Sequence, residues 1–150
     1  LFDPWNDPLN TGWQTIQAGV AISSGGLWGA GLGASRAKWG FLPFAQTDFI
    51  FAIVAEELGF LAATAVILAY LVLGVVGLST ALRAPDRFGQ LLAAGITSWI
   101  IIQAFVNIGA VLGLLPITGV PLPFVSYGGS STIMSFTAFG ILLNIARQTP

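Results

Sequence analysis

The sequence predicts an all-α, polytopic membrane protein, with three transmembrane helices and a long extracytoplasmic loop that carries short interfacial helices. Three observations lead there. Of 150 residues, 7% are charged, where soluble domains carry about 25%. The hydrophobic share is 55% and the mean hydropathy is +0.87, more than a small soluble domain could cover with so few charges. The charges are also bunched, which leaves uncharged stretches as long as a bilayer is thick.

Composition excludes several classes of function. With 5 Lys+Arg and a net charge of −1 there is no electrostatic case for a nucleic-acid partner. With 0 Cys and 0 His the chain by itself makes no disulfide, thiolate zinc site, cysteine nucleophile, Ser-His-Asp triad or His-metal site. Acid–base chemistry falls to 6 carboxylates and a few hydroxyls.

Residues 1–48 are the mixed part. Asp3-Pro4, Asp7-Pro8 and Asn10-Thr11-Gly12 are turn signals. Residues 13–22 suit a short amphipathic helix, and the glycine-rich stretch 23–33 is too flexible to continue it. Trp5, Trp13, Trp28 and Trp39 all lie here. Tryptophan favours the membrane–water interface, so the segment is expected to lie on it or dip into it.

Residues 58–78 hold no charge and would make about 30 Å of helix. The span is expected over 49–82, with Glu56 and Glu57 in its first turns. Arg83-Ala84-Pro85-Asp86-Arg87 is a short polar turn. From Phe88 to Ala146 no charge occurs, and Pro116, Gly119, Pro121 and Pro123 divide that interval. The remaining spans are expected over 89–115 and 124–147, joined by a re-entrant or interfacial loop at 116–123. Arg83, Arg87 and Arg147 lie on one side against Arg36 and Lys38 on the other. The excess marks the 83–88 turn and the C-terminus as cytoplasmic, and loops 1–48 and 116–123 as extracytoplasmic. The chain begins at Leu1 without a basic, then apolar, leader pattern, so no signal peptide is expected.

Few polar groups remain for chemistry. Thr47-Asp48-Phe49 stands where the loop enters the first span. A carboxyl at that lip is partly desolvated, so its pKa is expected above the ordinary carboxylate value, as suits a general base. Asp48 is equally suited to cap the helix or favour its dipole. Glu56 and Glu57 are costly to bury, and serve either function or hydrogen bonding to loop 1–48 or to neighbouring helices. Gln103 and Asn107 share one helix face, as interhelical hydrogen bonds or as the wall of a headgroup cavity. Ser126, Ser130 and Ser131, in Ser126-Tyr127-Gly128-Gly129-Ser130-Ser131, suit either an anion or sugar contact or N-capping with close packing. Gly29, Gly31 and Gly33 do not make a dinucleotide site, because the spacing is wrong and no strand precedes them.

Several motifs together carry a resemblance. They are Phe41-Leu42-Pro43-Phe44-Ala45-Gln46-Thr47-Asp48-Phe49-Ile50-Phe51-Ala52, then Glu56-Glu57-Leu58-Gly59-Phe60, and Asp3-Pro4-Trp5 with Gly12-Trp13-Gln14. Ser24-Gly25-Gly26-Leu27-Trp28-Gly29-Ala30-Gly31-Leu32-Gly33, Gln103 with Asn107-Ile108-Gly109, and Leu114 through Ser131 complete them. Over essentially all 150 residues the chain resembles the SEDS family (shape, elongation, division and sporulation), in wording closer to its FtsW branch than to its RodA branch.

The resemblance implies a chain of about ten transmembrane helices, of which this would be the C-terminal portion, inactive alone. It implies a peptidoglycan glycosyltransferase that polymerises lipid II in the bacterial cytoplasmic membrane. The implied partners are a class B penicillin-binding protein and other division or elongation membrane proteins. The family's essential aspartate falls on Asp48. Many members carry Glu and His where this chain has Phe44 and Gln46, so no imidazole assists Asp48 and the acid–base role rests on one carboxylate. In the implied inverting transfer, Asp48 takes the proton of the acceptor hydroxyl. Arg36 and Lys38 offset the leaving pyrophosphate, with or without a divalent cation (Mg or Mn) that Asp48 could itself hold. Gln103, Asn107, Ser126, Ser130 and Ser131 would line the headgroup cavity, with Glu56, Glu57 and Thr47 in support. Two other functions fit the same composition: a lipid II flippase, and a non-catalytic scaffold for the transpeptidase.

Overall fold

A computed structural model describes residues 13–31, 33 and 49–148. Their regular structure is helical: α1 (Trp13–Gly25), α2 (Ile50–Arg83), α3 (Arg87–Val111) and α4 (Gly129–Gln148). The last three are long and apolar enough to cross a membrane. In hydrocarbon every backbone N–H and C=O must be paired within the protein, which favours unbroken helices wherever the chain meets lipid.

Helix α1 fills the stretch expected to form a short helix. It ends where Ser23 and Ser24 turn their hydroxyls back on the Val20 and Ala21 carbonyls and glycines follow. The Gly29 N–H donates to the Gly25 carbonyl at 2.8 Å, which closes the turn. Ala18 and Ala21 are buried with Phe49, Phe51, Ala52 and Ala55 of the chain entering α2.

At 34 residues, α2 would measure about 51 Å if straight, far beyond one bilayer core. It is not continuous. Gly59 sits at φ 82°, ψ −178° and breaks it. The 24 residues from Phe60 to Arg83 make about 36 Å and suffice to span. Glu56 and Glu57 therefore belong to a separate helical piece ahead of the span, rather than to its first turns.

Helix α3 packs on α2 through small residues. Gly77 stands against Thr97, and Gly74 against Ile101, whose Cδ1 would lie 3.3 Å from a Cβ at Gly74. Close backbone approach of this kind is how membrane helices associate without a hydrophobic drive between them. Helix α3 stops at Val111, short of the expected 115. Gly113 takes φ 74°, and the Leu114 and Leu115 N–H groups both donate to the Gly109 carbonyl. Helix α4 starts at Gly129, later than the expected 124. Residues 122–126 close a turn of their own, with Phe124 at φ 66° and the Ser126 N–H on the Leu122 carbonyl at 3.0 Å. The Phe124 ring is fixed edge-to-face against Phe136 and Phe139 of α4.

The buried residues form two clusters at opposite ends of the bundle. One gathers α1, the start of α2, Ala104 and Val111 of α3, and Leu122; we call it the loop end. The other joins Ala81, Ala84, Ala93, Leu142 and Ile145; we call it the turn end.

Candidate functional site at the loop end

Two irregular backbone segments meet the helices at the loop end. The first is the glycine loop after α1. The Ala30 N–H donates to the Glu56 carbonyl at 2.9 Å, and the Gly31 N–H to the Glu57 carbonyl at 3.1 Å. Across the break, the Phe60 N–H donates to the Gly26 carbonyl at 2.9 Å. In an unbroken helix the Glu56 carbonyl would have received that Phe60 N–H. The loop thus takes over backbone groups that the break releases. Such contact leaves no room for side chains. A Cβ at Gly25, Gly29 or Gly59 would come within 3.0 Å of backbone atoms of the opposing segment. Gly29 and Gly59 also both sit at φ 82°, where L side chains are strained.

The second segment is the re-entrant loop between α3 and α4. It folds back along α3. The Asn107 side-chain amide donates to the Val120 carbonyl at 2.7 Å, and the Gln103 amide to the Pro121 carbonyl at 2.9 Å. Gln103 lies eight residues before the end of α3, so Pro121 is held about 12 Å below that end. The Tyr70 hydroxyl, from α2, donates to the Pro123 carbonyl. The Leu122 N–H donates to the Ser126 hydroxyl at 2.7 Å, and the Thr132 hydroxyl to the Ser126 carbonyl at 3.3 Å. Prolines at 116, 121 and 123 bring no N–H of their own, so the loop's need at this depth is for donors to its carbonyls. Three side chains from the two neighbouring helices supply them.

The expected site residues are placed accordingly. Gln103 and Asn107 come together on one face, and their side-chain amides hold the loop. Ser126 is 5% exposed, and its hydroxyl accepts the Leu122 N–H within the loop. Ser130 is exposed and Ser131 half-buried in the first turn of α4. Glu56 is 4% exposed and Glu57 half-buried, beside the glycine loop. Arg36, Lys38, Thr47 and Asp48 lie outside the described residues. Phe49, which follows Asp48 in the chain, is buried and lines a crevice with Asn107, Ile117 and Val120. Tyr70 carried no sequence signal, because a tyrosine in an apolar helix looks like any large core residue. A further feature is an apolar groove of about 350 Å³ between α2 and α3, lined by Ile67, Tyr70, Gly74, Ile101, Phe105 and Ile108 among others.

Three apolar helices, one broken and pinned by a glycine loop and two joined by a braced re-entrant loop, define a polytopic membrane protein. Comparison with known proteins gives the family. The FtsW/RodA/SpoVE family, described as cell cycle protein, matches residues 1–150, and the chain belongs to it. The chain is 53% identical over 147 residues to stage V sporulation protein E of Bacillus subtilis, covering 98% of this chain and 40% of that one. It is 51% identical over 146 residues to the probable peptidoglycan glycosyltransferase FtsW of Geobacter metallireducens, covering 97% and 39%. Among solved structures, a chain from a peptidoglycan synthase complex described as coordinating polymerization and crosslinking superposes with a TM-score of 0.77 at 32% identity, over 97% of this chain and 39% of that one. An aspartate-to-alanine mutant of the rod shape determining protein RodA of Thermus thermophilus gives 0.65 at 32% identity, over 89% and 40%. The chain spans about 40% of the length of the curated relatives it matches.

Proposed function

We propose that the full-length protein polymerises lipid II into glycan strands by inverting glycosyl transfer, at the outer face of the bacterial cytoplasmic membrane. One observation carries this reading above the others: the match to relatives named peptidoglycan glycosyltransferase runs through nearly the whole chain. The acceptor sugar's 4-hydroxyl attacks the donor's anomeric carbon as the bond from that carbon to the lipid pyrophosphate breaks. Asp48 accepts the hydroxyl proton. The pyrophosphate leaves as an anion, its charge offset by Arg36 and Lys38. The re-entrant loop, held by Gln103, Asn107 and Tyr70, forms one wall beside Phe49. Glu56 and Glu57 stand behind it as support, and Ser130 and Ser131 at the mouth of α4.

The orientation has its own support. Arg83 and Arg87 flank the turn between α2 and α3, and Arg147 lies in the last turn of α4. All three therefore gather at the turn end, the side that the positive-inside rule makes cytoplasmic. The loop end then faces outward, where lipid II is polymerised. A class B penicillin-binding protein is the proposed partner, since a similar chain sits in a complex that couples polymerization to crosslinking.

The test is polymer formation from lipid II by the purified full-length protein. Asp48→Asn is expected to lower the rate by about a hundredfold or more, the usual contribution of a positioned base. Wild-type rates from that variant would remove Asp48 from the chemistry. Leaflet exchange of lipid II without polymer would make the protein a flippase. Unimpaired growth with Asp48 replaced would make it a scaffold.

A further inference from the structure

Gly59 divides α2 into two pieces with different tasks. The piece from Phe60 onward is uncharged to Leu82 and spans. The piece over 50–58 is separated from Asp48 by Phe49 alone in the sequence and carries Glu56 and Glu57. A helix broken at glycine is ordinarily free to bend there. In this chain the glycine loop bonds to both pieces at once: to the Glu56 and Glu57 carbonyls before the break, and to the Phe60 N–H after it. Each of the three bonds is backbone to backbone, and Gly25, Gly29 and Gly59 are the residues that permit the approach.

We infer that the glycine loop is a backbone clamp that fixes the angle between the 50–58 piece and the span, and that turnover depends on this angle because the 50–58 piece comes two residues after Asp48 in the sequence. This rests on the role proposed for Asp48. Phe60 is a positioning residue through its amide alone, because its side chain is exposed at 60%. Its N–H makes the one described backbone bond between the loop and the spanning piece. Without that bond the loop is held by the 50–58 piece alone and opens more readily, and the two pieces can swing about Gly59.

The geometry allows a clean test. Phe60 opens the spanning piece, a position that accepts proline because its N–H has no partner within the helix. Gly59 has ψ −178°, the extended value preferred before proline. Phe60→Pro therefore removes the N–H and the side chain, whereas Phe60→Ala removes the side chain only. In the full-length protein, hydrogen exchange at Ala30 and Gly31 is expected to quicken roughly tenfold in Phe60→Pro and to stay at the wild-type rate in Phe60→Ala, the size expected for one net hydrogen bond. The turnover number on lipid II should fall about tenfold in Phe60→Pro alone, with KM held within about twofold. Equal exchange in the two variants would show that no clamp exists. Faster exchange with unchanged turnover would show that the clamp positions nothing. Absence of polymer from the wild-type protein would overturn the glycosyltransferase reading instead, and the exchange contrast would still decide whether the clamp exists.

Discussion

The two ends of the bundle satisfy their backbones in opposite ways. At the turn end the connection between α2 and α3 is closed by local bonds. The Ala84 N–H returns to the Thr80 carbonyl, Asp86 accepts the Gly89 N–H at 2.7 Å, and the Gln90 amide reaches the Ala84 carbonyl at 3.0 Å. Two helices are joined there by three residues. At the loop end the bonds tie segments far apart in sequence: residue 60 to 26, 107 to 120 and 70 to 123. Non-helical backbone at membrane depth is tolerated only where the protein itself satisfies it. The turn between α2 and α3 thus reverses the chain with bonds among its own neighbours. The loop end invests glycines, prolines and three polar side chains in holding two irregular segments beside the buried Phe49.

The sharpest way to break this contrast is to add the same methyl group at both ends. At Gly59 a Cβ would collide with the backbone of Leu27, Trp28 and Gly29, at a φ of 82°. Gly59→Ala is expected to destabilise the protein by about 3 kcal/mol, from strain and overpacking together. At Gly95 and Gly140, in the halves of α3 and α4 nearer the turn end, a Cβ meets nothing within 4 Å. Alanine there should be neutral or stabilising by up to about 1 kcal/mol, through helix propensity. Thermal unfolding of the three variants in detergent checks both. Equal tolerance at all three positions would mean that the loop end is not tightly built.

A smaller effect sharpens the role of the re-entrant loop. Tyr70→Phe keeps the ring and deletes the hydroxyl that serves the Pro123 carbonyl, in a place where water is scarce. The expected cost is about 1–3 kcal/mol, the price of a buried acceptor left without its donor. Limited proteolysis within 112–128 should accelerate in this variant, while cleavage near the turn at 84–86 should not. Unchanged proteolysis at both sites would show that Gln103 and Asn107 hold the loop without help.

The three spans were legible in the sequence because lipid demands long uncharged runs, and few other structures produce them. Their ends were less so. The stop at Val111 depends on Gly113 turning left-handed and on two amides sharing one carbonyl, and nothing in the apolar residues at 114 and 115 announces it. The delayed start of α4 depends on the turn that Ser126 closes with Leu122. Ser126 was visible as a hydroxyl near a helix start, but its direction, into the loop, was not. Gln103 and Asn107 stood out as polar residues in an apolar run, and their shared face followed from spacing; their partners did not, because carbonyls 13 and 18 residues away leave no mark on side-chain pattern. The glycine clamp was least legible. Two backbones in contact select only for the lack of a side chain, and a run of glycines reads first as a flexible loop.

The smallest expected effect belongs to the turn end and tests whether the two ends are separate in function. Asp86 caps α3 by accepting the Gly89 N–H. Asp86→Ala should cost about 1 kcal/mol, as N-cap removals do, and the turn's exposure lets water take up part of the loss. Asp86→Asn keeps an acceptor oxygen and should keep most of the stability. Asp86 lies 21 residues before Asn107, about 31 Å away along α3, beyond the reach of any direct contact with the loop end. Polymerisation of lipid II by the full-length Asp86→Ala variant should therefore match the wild type within about twofold, because a cap loss of this size leaves the helix folded. A large loss of turnover with stability intact would mean that the turn does more than reverse the chain, and the division between the two ends would fail at its simplest point.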